Sequence, residues 1–235
     1  MIKKMSVLAV LMILSGCASS PPKTPDAEQQ TKTPQTLVDQ GYAYLKVSKI
    51  KQAIAEFDAA IKLCQDSRED EKQVYTARTL VENLSYLTAA AASGKSAEVL
   101  DTSCSDAHYL MGYALIDFGK IEEAETQLQK AVAMAPKNAM YLSELGHIYQ
   151  SKRDWSRALS YFTEAESAAE IYSPEEVKVD EICRAKRGMG FNLIELGKLD
   201  DAEKKFREAL ALDAKDKMAL SEIEYIRQLR SGNAQ

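Results

Sequence analysis

Residues 108–135 read HYLMGYALIDFGKIEEAETQLQKAVAMA, and residues 142–169 read LSELGHIYQSKRDWSRALSYFTEAESAA. Set 34 residues apart, the two stretches register: Gly112 falls on Gly146, Ala124 on Ala158, Leu128 on Phe162 and Ala131 on Ala165. That period belongs to solenoids built from helix pairs. A glycine on the first helix and alanines on the second let two backbones approach closely. Larger residues then interlock around them at helical spacing. A single pair leaves one apolar side uncovered, so the next pair must stack on it.

The pattern extends outward in both directions. Met189, Gly190 and Leu193 precede Ala202, Phe206 and Ala209; near the front, Leu37, Gly41 and Tyr44 precede Ala53, Phe57 and Ala60. The two central copies add His108, Met111, Leu115 and Pro136, then Leu142, Leu145 and Tyr149. Over most of residues 36–230 the chain resembles the tetratricopeptide repeat (TPR) family, whose signature runs W-x2-L-G-x2-Y, A-x3-F and P. Tryptophan is missing at the start of every unit, and Ala214 stands where the last unit would have proline. The resemblance implies an all-α, TPR-type right-handed α-solenoid of helix–turn–helix repeats. Gly119 and Gly197 in the turns suit a left-handed cap.

Two intervals break the period. Gly146 to Gly190 is 44 residues, and within it Ser173-Pro174-Glu175-Glu176 reads as a capping box with proline at the first helical position. A helix starting near Pro174 and projecting beyond its neighbours is expected. Gly41 to Gly112 is 71 residues, two repeats plus three. There Ser67-Arg68-Glu69-Asp70 predicts a long helix to about Ala92, followed by a shortened one at Ser96–Leu100. The predicted units are about 36–66, a degenerate 67–104, 105–138, 139–172 and 173–214. A capping helix over 216–230 turns Leu220, Ile223, Ile226 and Leu229 toward the last repeat, and 231–235 form a disordered tail.

The front of the chain is of another kind. Lys3 and Lys4 precede the apolar run Met5–Leu14, which is too short to span a bilayer and reads as a secretory signal. Leu14-Ser15-Gly16-Cys17 resembles a bacterial lipobox, which implies removal of residues 1–16 and acylation of Cys17, with several chains giving firm anchoring. An ordinary signal with a chance cysteine is the plainer alternative. Ala18 follows the cysteine, where aspartate would suggest inner-membrane retention, so an outer-membrane location facing the periplasm is expected. Residues 17–35, with four prolines and neither leucine nor aromatic residue, are expected to form a disordered tether.

Composition narrows the function. The chain carries a net charge of −5, and losing Lys3 and Lys4 would make it −7, which argues against nucleic acid as a partner. Beyond Cys17 there are Cys64, Cys104 and Cys183. A Cys64–Cys104 disulfide bracketing the irregular segment and three buried thiols are both open readings. The cysteines and the two histidines lack metal-ligand spacing, so no metal or cofactor is expected.

On the concave face of such a solenoid, the residues after each signature glycine are Tyr42, Tyr113, His147 and Phe191; Tyr109, Arg184 and Arg187 lie nearby. Ring-bearing and basic residues there suit an extended peptide or partner helix, although the same rings could pack between repeats. The asparagines of the family's carboxylate-binding members are absent from these positions, so that activity is not carried over. Catalysis by His147 is not expected, nor is a small-molecule substrate. The reading is a membrane-anchored adaptor or scaffold binding a protein or peptide in the bacterial envelope, possible settings being a pilus, secretion or cell-wall machine. The alternative is an inhibitor or immunity-type protein blocking an envelope-acting toxin or hydrolase.

Overall fold

The computed structural model describes residues 32–66 and 72–232; residues 1–31, including Cys17 and nearly all of the expected tether, lie outside them. Among the described residues the fold is an all-α solenoid with one short β ribbon. Four helical hairpins form its body: α1 (Pro34–Lys46) with α2 (Ile50–Asp66), α4 (Ser103–Asp117) with α5 (Ile121–Met134), α6 (Ala139–Ser151) with α7 (Trp155–Tyr172), and α8 (Glu175–Glu195) with α9 (Leu199–Leu212). Helix α10 (Lys217–Ser231) packs on α8 and α9. Between α2 and α4 lie β1 (Gln73–Thr76), α3 (Leu80–Ala92) and β2 (Ala97–Leu100).

The hairpins close because each signature glycine receives a large side chain sixteen residues later. A Cβ at Gly112 would sit 2.7 Å from Leu128, and one at Gly190 would sit 2.6 Å from Phe206. Phe57, Leu128, Phe162 and Phe206 are therefore fully buried. All four hairpin turns use a left-handed residue at the same place: Ser48, Gly119, Arg153 and Gly197. At Arg153, with φ 57°, the conformation costs a side-chain-bearing residue roughly 1–2 kcal/mol. Part of that is offset by glycine's larger unfolded-state entropy. Arg153→Gly is thus expected to stabilise the protein by about 0.5–1 kcal/mol in urea denaturation, and Gly119→Ala to destabilise it.

The segment 67–104 departs from the expected degenerate repeat. Helix α1 and α2 pack directly on α4, and one core cluster runs from Leu37 and Phe57 through Met111 and Leu128 to Leu145. The insertion is left out of the stack. Its long helix begins only at Leu80, and the expected short helix is instead strand β2, paired parallel with β1 so that Gln73 faces Ala97. A Cys64–Cys104 disulfide, with Cα atoms 5.9 Å apart, ties α2 to α4 at the root of this insertion; Cys183 is a buried free thiol.

Helix α8 starts at Glu175, with Pro174 at the N-cap. No capping box forms there, because the Ser173 hydroxyl donates to Glu181 instead. The early part of α8 does not project freely. Arg78, ahead of α3, makes two bonds to the Glu181 carboxylate, one of 2.5 Å, and the Thr79 hydroxyl donates to Tyr172 O at 3.2 Å. The two interruptions of the repeat therefore lie against each other. Helix α1 begins at Pro34, two residues before the expected start, with Thr33 and Thr36 forming a reciprocal capping box. In α10 the buried side is Ala219, Ile223 and Ile226, with Leu229 partly buried, while Leu220 is half exposed.

Candidate partner-binding site

The first helices of the last two hairpins and α10 enclose a pocket of about 330 Å³. Helix α6 contributes His147 and Gln150, α8 contributes Arg184, Arg187, Gly188 and Phe191, α9 contributes Phe206, and α10 contributes Met218 and Glu222. Glycine at 188 matters locally: its Cα lies against the Phe162 ring, leaving no space for a Cβ. The bare backbone forms the floor between His147 and Phe191. Phe191 is 39% exposed and Met218 65%, so the rim is apolar and open. Trp155 meets Phe191 edge-on, with ring centroids 6.3 Å apart.

The charges around the pocket are mostly compensated. Arg184 Nη1 reaches Glu144 Oε1 at 2.8 Å, and Arg187 Nη1 reaches the buried Asp216 carboxylate at 2.5 Å. Asp216 also caps α10 through the Met218 and Ala219 amides. Glu222 has no such partner among the described residues, and burial pushes its carboxyl pKa up. Both guanidinium groups therefore already face carboxylates, and Glu222 is the acid of the lining left without such a partner among the described residues.

His147 is occupied by structural contacts. Its Nδ1 lies 2.9 Å from Gln150 Oε1 and its ring packs edge-on against Phe162. Glu144, one turn earlier, is held by Arg184 instead. No cluster of three or more metal-ligating side chains occurs among the described residues, and none of their helices is long and apolar enough to cross a membrane.

Of the ring-bearing and basic positions read from the sequence, His147, Arg184, Arg187 and Phe191 come together in this pocket. Tyr42 and Tyr113 are exposed elsewhere on the first-helix face. Tyr109 is partly buried, its ring stacked on Tyr141 at 5.0 Å; burial, then nearby Glu144, raises its phenol pKa. Sequence reasoning missed Met218 and Glu222. The helix over 216–230 was read as a cap, and its start at Asp216 was the signal that it could also line the face beside α8.

The fold and this layered face define a TPR-type solenoid. Residues 109–174 match the tetratricopeptide repeat family. PilF of Pseudomonas aeruginosa superposes with a TM-score of 0.59 at 14% identity, over 85% of this chain and 69% of its own. A MamA structure from Desulfovibrio magneticus RS-1 superposes with a TM-score of 0.58 at 13% identity, over 87% of this chain and 88% of its own. At these identities the likeness is one of fold. No curated protein sequence matches the chain.

Proposed function

We propose that the protein is a non-enzymatic adaptor that holds a protein or peptide partner in the pocket between α6, α8 and α10. The observation that carries this reading is an open pocket with an apolar rim and one unpaired acid. It suits a segment that inserts an apolar side chain beside Phe191 and Met218 and places a basic group near Glu222. Bound anchors of this kind supply most of the affinity of an interface.

The lipobox-like Leu14–Cys17 supports a second part of the proposal, that the adaptor is anchored by Cys17 to the outer membrane and faces the periplasm. Confinement of this kind would raise the local concentration of any partner in the same envelope. A pilus, secretion or cell-wall assembly is the proposed setting.

The test is recovery of partners from native envelopes by the wild type and by Phe191→Ala/Met218→Ala. Both side chains are exposed, so the fold should survive, as circular dichroism would check. Loss of two anchors is expected to weaken capture roughly 30- to 100-fold. Unchanged capture by a folded variant would refute the pocket as the binding site.

A further inference from the structure

Helix α3 is inside out. Its inward face carries Glu82 and Tyr86, both buried, with Ala90. The Glu82 carboxylate accepts from the Arg78 amide at 2.8 Å and from the Tyr86 hydroxyl at 2.8 Å, while that hydroxyl accepts from the Lys137 amide. Burial of this acid is thereby compensated. The outward face holds Leu80, Val81, Leu84 and Leu87, exposed by 73, 54, 54 and 38%, followed by exposed Thr88, Ala91 and Ala92. At helical spacing these residues form one continuous stripe without a charge. The bonds from Arg78 and Thr79 bring the leucine end up to α8 and the end of α7, where Val179 and Ile171 are also exposed. Monomeric proteins rarely leave a contiguous apolar patch of more than a few hundred Å² uncovered.

The composition of the chain outside the described residues says what does not cover it. Residues 18–31, 67–71 and 233–235 contain no Val, Leu, Ile, Met, Phe, Tyr or Trp. Of these segments and residues 1–17, only 1–17 hold large apolar side chains, and the proposed processing removes all of those. A lipid surface fits poorly, because exposed Glu170, Glu176 and Asp180 lie at the leucine end, where they would repel anionic headgroups.

We propose that the outward face of α3 is a self-association surface on which a second copy of the chain docks antiparallel. The face is complementary to itself in that orientation. Bulky Leu80, Val81 and Leu84 of one copy meet small Thr88, Ala91 and Ala92 of the other, and the relation is reciprocal, as a two-fold interface requires. The same rotation brings exposed Lys95, just beyond the small end, toward the acidic residues beside the bulky end. The helix dipoles also run in opposite directions. This surface is separate from the α6–α8–α10 pocket, so either can fail without the other.

The test sizes the full-length protein in mild detergent by light scattering at micromolar concentration, with thermal melts to check folding. The wild type is expected at twice the polypeptide mass of a single copy from the same preparation. Leu84→Glu, which changes only an exposed side chain of the protomer, should weaken dimerisation roughly 100-fold without shifting the melt. Lys95→Glu should weaken it several-fold and Lys95→Glu/Glu176→Lys should recover it. A monomeric wild type, or a dimer indifferent to Leu84→Glu, would overturn the proposal. So would a monomer that floats with phosphatidylethanolamine/phosphatidylglycerol vesicles through the α3 leucines, which would assign the face to lipid.

Discussion

Phe162→Ala is expected to lower stability by about 3–5 kcal/mol, the range for truncating a buried aromatic side chain. Phe162 is fully buried, and its ring is gripped from two layers at once. A Cβ at Gly146 would stand 2.8 Å from it, and Gly188 of the next hairpin meets its other edge. The His147 ring completes the enclosure with centroids 5.0 Å apart. Neither glycine can fill the vacated space, so the cavity would persist instead of collapsing. For a chain of this size the loss corresponds to a fall in melting temperature of roughly 6–20 °C. Because each repeat is supported by its neighbours, hydrogen exchange should rise in α6 through α9 before it rises in α1 and α2. A loss below about 1 kcal/mol would contradict the role given to this ring.

Replacing both Cys64 and Cys104 by alanine is the second large effect. The bond closes a 40-residue separation, and the chain-entropy estimate for such a loop is about 4 kcal/mol. The location sharpens the expectation. The insertion between α2 and α4 adds no layer to the stack, so the contact of α2 with α4 must otherwise be made across a long connection. Urea denaturation of the oxidised protein, of the same protein in dithiothreitol and of the double variant should give one high and two low midpoints. Equal midpoints would show that α1 and α2 are held on α4 by their shared core alone.

The legible parts of the fold were those with local, repeated causes. Glycine and the ring or leucine sixteen residues on are visible as a spacing, and so are the alanines that let the helices close. The insertion was not legible for the opposite reason. Ser67-Arg68-Glu69-Asp70 looks like a helix start, yet the next four paired residues, Gln73–Thr76, form a strand whose partner begins at Ala97. Four residues are too few to show alternation, and parallel pairing across a crossover leaves no turn signal. At the site, the position after each glycine located Phe191 and His147 but could not separate them from Tyr42 and Tyr113, which are exposed outside the pocket. The pairing of Arg184 with Glu144, 40 positions apart, and of Arg187 with Asp216 depends on stacking of layers. No sequence spacing announces it, although it decides which charges of the pocket are already met.

The central claim is that a partner sits between α6, α8 and α10. It is tested most directly by placing a photo-reactive phenylalanine analogue at position 191 in cells and irradiating intact envelopes, with the same analogue at exposed Leu212 at the end of α9 as the comparison. The account predicts one discrete protein adduct from position 191 that is absent from position 212 and is lost when Met218→Ala is added. Equal adducts from both positions, or none from position 191, would contradict it.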